Sequence, residues 1–446
     1  MTTTDDVVGR RSVEGDAGGQ GRNGGETTAS SLWRHRDFMR LWASQTVSLF
    51  GSQVTNLALP LTAALTLKAT PAQMGLLGAA GFAPFLLLGL FAGVWVDRRR
   101  RRPIMIAADV GRAAVLALIP VLALLHALRV EQVYAIAFVA GTLTLFFDVA
   151  YTSYLPSLVS RERLSEGNAK LEGSASAAGL AGPGLAGVLA QVFSPPLALI
   201  VDAVSFVFSA VFLRSIRVVE APPAPTTRED GVWRGIGQGL RLLLGNKLTR
   251  ATVSAAATLV LCSSIGSSVF VLYLTRDLRL PPALVGLVYL AGGLGALPGA
   301  VVCGAVTRRI GVGPAIVVGA CAESVFKLLI LAASGPPLVA LAVLMVAETL
   351  AGFAAIIWDI NQLSLRQGLT PTRLLGRMNA SFRFLVWGMI PLGALLGGFL
   401  GVQIGLRATL TVSILGGLLA PLWVLFSPVR SLRILPAPPD RTRASP

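Results

Sequence analysis

Twelve apolar stretches of about 20 residues or more leave this chain very few ways to fold. Such a run spans the hydrocarbon core as a helix, because in lipid each backbone polar group must be satisfied within its own segment. The stretches run 41–67, 72–96, 104–127, 132–156, 171–193, 196–216, 251–275, 283–306, 314–334, 337–360, 378–402 and 405–427. Pro195–Pro196 and Gly335-Pro336-Pro337 mark tight turns between antiparallel neighbours. The 446 residues are 54% hydrophobic and 13% charged, with 48 glycines. Soluble domains carry about 25% charged residues, so a soluble enzyme, a disordered chain and a coiled coil are excluded. The fold class expected is all-α and integral to a membrane. Three cysteines cannot build a disulfide scaffold, and two histidines give no basis for a histidine-rich metal site. Cys262, Cys303 and Cys321 all fall inside spans and read as small apolar fillers.

A net charge of +16 needs its own explanation. With both termini placed in the cytoplasm, 30 of the 38 lysines and arginines fall on the cytoplasmic side and five on the outer side. That asymmetry is the positive-inside signature of a multi-pass protein of the cell membrane. The charge therefore reports topology, and nucleic acid is not expected as a partner. The first apolar run lacks the flanks of a cleaved signal peptide and reads as the first span. The polar tail 1–31 and the proline-rich tail 431–446 are expected to be disordered.

The chain also repeats itself. At a constant shift of 211 residues, Pro71 matches Pro282, Gly75 matches Gly286 and Gly93 matches Gly304. Pro103/Pro314, Asp148/Asp359, Asn168/Asn379 and Gly187/Gly398 follow at the same shift. Two six-helix halves, 32–216 and 251–430, are thus joined by a charged linker, 217–250. Within it, Gly231–Leu244 reads as an amphipathic helix on the cytoplasmic surface. Two parallel halves of six spans describe the major facilitator architecture, in which substrate binds near the midplane and access alternates.

Two motifs carry a more specific resemblance. After the second span the chain reads Gly93-Val-Trp-Val-Asp97-Arg98-Arg-Arg-Arg101-Arg102-Pro103. This resembles the loop signature of the major facilitator superfamily, which implies a charge relay at the cytoplasmic gate. Gly93 permits close helix contact and Asp97 sits at a helix end. The alternative is that the arginines only anchor the loop to anionic lipid. Arg100 stands where a glycine is usual, and the second copy, Gly304-Ala-Val-Thr307-Arg308-Arg309, lacks the aspartate. A weaker gate is expected in the second half. The fifth span contains Gly179-Leu-Ala-Gly182-Pro183-Gly184-Leu-Ala-Gly187, which resembles the glycine-proline signature of exporters in that superfamily. Proline kinks a helix, and glycines let neighbours approach. Ala108-Asp109-Val-Gly-Arg112, Phe147-Asp148, Leu155-Pro156, Gly167-Asn168-Ala169 and Asp202-Ala-Val-Ser-Phe206 resemble the enterobactin-exporter and macrolide-efflux branch. That branch implies export of a drug, antibiotic or siderophore-like compound driven by the proton gradient, with no other cofactor.

Charges inside spans are costly and are functional candidates. Asp109 and Arg112 can pair on one helix face, as can Glu323 and Lys327. A proton-coupling carboxylate has to be desolvated and has to change surroundings as the protein works. Glu348, with no partner on its own helix, fits best, followed by Asp148, Asp109 and Asp202. If the resemblance holds, spans 1, 4, 7 and 10 line the cavity, which nominates Gln53, Asn56, Phe146, Phe147, Phe270, Tyr273, Phe353 and Trp358. Two departures bear on coupling. Residues 132–147 contain no arginine, and the first span contains no acid.

The expected function is secondary active export of a small organic compound by a monomer, with protons and membrane lipids as the other partners. An importer or lipid flippase of the same fold is the alternative, and a non-transporting sensor a more distant one. Nucleotide-binding and catalytic signatures are absent, so neither an enzyme nor an ATP-driven pump is expected.

Overall fold

The computed structural model describes residues 32–160, 163–218, 220, 232–371 and 374–434. The tail 1–31 and residues 435–446 lie outside the described residues. Among the described residues there is no strand. The first half comprises α1 (Arg36–Leu61), α2 (Pro71–Asp97), α3 (Arg101–Leu124), α4 (Val130–Leu158), α5 (Leu164–Phe193) and α6 (Pro195–Ser215). A linker helix, α7 (Val232–Gly245), leads into α8 (Lys247–Leu272), α9 (Pro282–Ile310), α10 (Val312–Lys327) and α11 (Pro337–Gly368). The last two spans are each interrupted. One is α12 (Leu375–Trp387) and α13 (Met389–Gln403), and the other is α14 (Leu406–Gly417) and α15 (Ala420–Leu425).

Eleven spans among the described residues are long and apolar enough to cross a membrane. The twelfth, α1, is 26 residues long, and Gln45, Gln53 and Asn56 make it more polar. Pro60, Pro84, Pro120, Pro156, Pro183 and Pro298 all lie inside helices, where each removes a backbone donor. In a bundle, neighbouring helices and hydroxyl side chains re-satisfy the freed backbone groups.

The duplication extends to backbone detail. A π-helical turn ends the first span at Thr62–Thr66 and the seventh at Tyr273–Asp277. In each, a wide-turn bond of 3.1 Å closes it, from Leu67 N to Thr62 O and from Leu278 N to Tyr273 O. Lys68 (φ 50°) and Arg279 (φ 53°) follow in the left-handed region, and Ser194 (φ 76°) is matched by Gly405 (φ 84°). All of these pairs stand at the same shift as the sequence repeat.

Packing divides the bundle into two ends. We call the end carrying the 98–102 loop the basic face. At the opposite face one apolar core runs through both halves, from Val54, Leu57 and Met74 to Val269, Leu272 and Val285. Toward the basic face there are two separate cores. One, with Phe38, Met105 and Tyr154, belongs wholly to the first half. The other, with Ile316 and Trp358, belongs to the second half together with Leu243 of the linker helix. The halves are therefore sealed at the opposite face and parted at the basic one. Helix α7 packs on α12, with Gly239 set against Ser381.

Candidate functional site

Each half holds charged residues inside the bundle, several of them buried. On the first-half side, Arg112 pairs with Asp109 on α3. Its guanidinium lies between the rings of Phe147 and Phe206, 4.4 and 4.0 Å from their centroids. Burial forces this arrangement: Asp109 is 0% and Arg112 4% exposed, and a buried charge needs a partner. One turn beyond Phe147, Tyr151 stacks at 6.2 Å on that ring. Asp148, between them in sequence, feels Arg112 from its own half and Arg383 from the other. Arg383, on α12, is exposed and lies over Trp387, whose ring meets Phe85 of α2 at 6.0 Å.

Asp202 has a different setting. It is 1% exposed and accepts hydrogen bonds from Thr55 Oγ1 at 2.5 Å and Ser205 Oγ at 2.9 Å. It thereby ties α6 to α1 where Gly51 leaves room. In the second half, Lys327 Nζ donates to Glu323 Oε1 at 2.7 Å. The same lysine acts on Glu348 and Asp359 from a neighbouring helix. Glu348 thus has a cation within range, contributed by α10, and its Oε2 would stand 3.6 Å from a Cβ on Gly292 of α9. Asp359, the counterpart of Asp148, is exposed and feels Arg366, which lies over Phe382 at 3.4 Å.

The structure scatters the residues nominated to line the cavity. Asn56 is exposed, and Gln53 packs on Gly182 of α5. Phe146 meets Trp95 edge-on at 5.2 Å. Phe147 and Trp358 are buried in the separate cores of the first and second halves, and Phe270 and Tyr273 in the core the halves share. Tyr273 donates to the Ala333 carbonyl at 3.0 Å, and Phe270 meets Tyr289 at 5.8 Å. Phe353 backs onto Gly299. Cys262 and Cys303 are buried, and Cys321 is half-buried.

The two glycine motifs lie at helix seams. In the exporter-like motif, Gly182 faces α1 while Gly187 faces α9 of the other half, and Gly179 meets open space. In the loop motif, Gly93 has nothing within 4 Å of a built Cβ, and Arg98 is exposed. The side chain of Asp97 lies outside the described residues. Arg101 and Arg102 are bound instead by a residue the sequence reading passed over. Glu220, 7% exposed, accepts from the Arg101 N–H at 2.8 Å and the Arg102 N–H at 3.3 Å, and from the Arg101 guanidinium at 3.3 Å. It caps the start of α3, where free N–H groups favour an anion. Arg102 Nε also donates to the Leu213 carbonyl at 2.9 Å. A second omission is Arg276, which reaches across the opposite face to the carbonyls of Ala64 (3.4 Å) and Ala69 (2.8 Å).

Two pseudo-equivalent halves are thus joined at one face and parted at the other, and each holds buried charges. The family description "Major Facilitator Superfamily" matches residues 41–390. The chain belongs to that superfamily. It is a family of membrane transporters. Relatives include the multidrug efflux pump Tap of Mycolicibacterium fortuitum, 30% identical over 78% of this chain and 85% of the relative. An uncharacterised transporter of the superfamily, YfiS of Bacillus subtilis, is 27% identical over 62% of this chain. Macrolide efflux protein A of Streptococcus pyogenes is 26% identical over 47%. The match spans 65% of YfiS and 52% of the macrolide efflux protein. Among solved structures, a bacterial homologue of the iron transporter ferroportin in an inward-facing state has a TM-score of 0.72 at 18% identity, covering 88% of this chain and 98% of that one. The nucleoside transporter NupG has 0.65 at 11% identity, over 87% and 97%. At these identities the likeness shows the fold.

Proposed function

We propose that this superfamily member is a secondary active exporter in the cell membrane. It would release a small organic compound by alternating access, in exchange for protons. The observation that carries the reading is the arrangement of cores, one shared at the opposite face and two separate at the basic face. A cavity walled by both halves and closed at one end is what a rocking transporter needs. On the positive-inside asymmetry the basic face, and with it both termini, would lie in the cytoplasm, so the open mouth would load from inside. The names of two relatives, a multidrug efflux pump and a macrolide efflux protein, support export of a drug-like cargo. Asp148 would be the coupling carboxylate, a reading supported by the charges of both halves that act on it, one of which rocking would move away. Asp359, Glu348 and Asp202 are the alternatives.

The test is expression in an efflux-deficient bacterium. Inhibitory concentrations and cellular accumulation are measured over a compound panel, with and without a protonophore. Protection against at least one compound that the protonophore abolishes is the expected result. Higher accumulation on expression would instead establish import. Asp148→Asn is expected to abolish protection while leaving the amount of protein in the membrane unchanged. Undiminished protection by that variant would remove Asp148 from the mechanism.

A further inference from the structure

Helices α5 and α9 meet across the two halves, but only toward the opposite face. A Cβ on Gly187 would stand 2.6 Å from the Pro282 carbonyl, and one on Gly286 would stand 2.5 Å from the Pro183 carbonyl. Further along, Gly184 meets Leu290 and Gly293 meets Leu180. At 3.6 residues per turn the contacting face of α5 continues toward the basic face through Ser176, Gly173 and Ala169, with Glu172 at its edge. The contacting face of α9 continues to Gly304 and Arg308. Here the two faces have come apart. Gly173 has nothing within 4 Å, and Gly304 has only the Arg308 side chain of its own helix. Glu172 and Arg308 are both exposed.

The repeat adds a second observation. The shift of 211 carries Glu172 onto Arg383 and Asp97 onto Arg308. The pseudo-equivalent seam is α2 against α12–α13, where Gly75 meets Gly398 as Gly286 meets Gly187. Each seam therefore pairs an acidic position on one helix with a basic position on the other, and the signs are exchanged between seams.

We propose that Glu172 and Arg308 form the ion pair that closes the α5–α9 seam at the basic face when the opposite face opens. The second copy of the loop motif is then a gate of inverted sign, with arginine where the first copy has aspartate. The aspartate's absence does not weaken it, because its partner on α5 is an acid. This rests on the alternating-access reading above.

The test needs no knowledge of the cargo. Cys262, Cys303 and Cys321 are replaced by alanine, and Gly173→Cys is combined with Gly304→Cys. Membrane vesicles are treated with a short bis-maleimide over a time course, which traps each closure irreversibly. Gln191→Cys with Ala283→Cys is the control, because Ala283 N donates to Gln191 Oε1 at 3.0 Å across the sealed face. The inner pair is expected to link progressively. Glu172→Arg or Arg308→Glu alone should slow linking roughly fivefold, as loss and reversal of a partly exposed ion pair would. Both together should restore it, and Arg308→Lys should keep most of it. Failure of the inner pair to link while the control goes to completion would overturn the proposal, and so would linking indifferent to the charge reversals. Either failure in a cysteine-free parent that still protects cells against a compound would leave the export reading standing.

Discussion

Arg112 shows how far a single side chain can be committed. Clamped between two rings and bonded to Asp109, it can neither leave nor lose its partner cheaply. Removing one member of a buried pair strands the other charge, at a cost of about 3–5 kcal/mol. Arg112→Ala should therefore lower the melting temperature in detergent far more than Asp109→Leu combined with Arg112→Met. Equal losses from the two would show that the pair is not the source. The pairing itself was legible, because the i, i+3 spacing lies in one helix. The clamp was not, because Phe147 and Phe206 come from α4 and α6, and only the fold brings them around α3. Glu220 was illegible for a similar reason, since nothing local announces that a linker acid will cap a helix a hundred residues earlier.

Asp37, at the start of α1 outside the apolar run, gives a pH dependence at the same scale. Burial pushes its carboxyl up, but the Arg217 N–H, the Arg40 guanidinium and the Val218 N–H together hold it below the ordinary carboxylate value. A depressed carboxylate stabilises the fold above its unfolded pKa, about 3.9, and that contribution is lost as pH falls through the lower, folded value. Wild type should accordingly melt above Asp37→Asn at neutral pH, and the two curves should converge in acid. A constant gap across the range would contradict this.

At the scale of elements, the decisive contacts are glycines meeting backbone. Gly75 and Gly286 face the other half, whereas Gly81 and Gly292 receive Gly141 and Gly352 within their own halves. All of these pairs recur at the same shift, so the repeat marks them as equivalent without saying which seam they serve. Sequence could therefore show that small residues matter along α2 and α9 but not that these helices bridge the halves. The π turns pose the same problem, since nothing in Thr62–Thr66 or Tyr273–Asp277 announces a wide turn. Arg276, on the second of them, bonds back to the segment around the first. Arg276→Ala should favour opening of the opposite face. A membrane-impermeant maleimide applied from that side should then label Asn56→Cys roughly tenfold faster, the effect expected for charged hydrogen bonds. Gly286→Val should act in the same direction, because overpacking a tight contact costs about 1–3 kcal/mol. Unaltered labelling in both variants would mean that these contacts do not hold that face shut.

For the whole molecule, the twelve spans and the two halves could be read from apolar run lengths and a constant shift, and the superfamily from the resemblance carried by the Gly93–Pro103 and Gly179–Gly187 motifs. Those are properties of chain segments, which sequence records directly. Which face is parted could not be read, because both conformations of a rocking transporter use the same helices and differ only in which ends touch. The division into one shared core and two separate ones settles that question for this state. Co-expressed halves, cut within the linker, are expected to purify as a one-to-one complex held by the shared core. Recovery of either half chiefly with itself would contradict that.

The exchanged signs at the two seams bear on that experiment. Glu172 and Asp97 both belong to the first half, while Arg383 and Arg308 both belong to the second. Two copies of the first half would set acid against acid at both seams, and two copies of the second would set base against base. On the proposed pairing, closure at the basic face would favour unlike halves. In a crowded bilayer, where neighbouring molecules present the same helices, such an arrangement would work as a mild mating preference, biasing each half toward its complement.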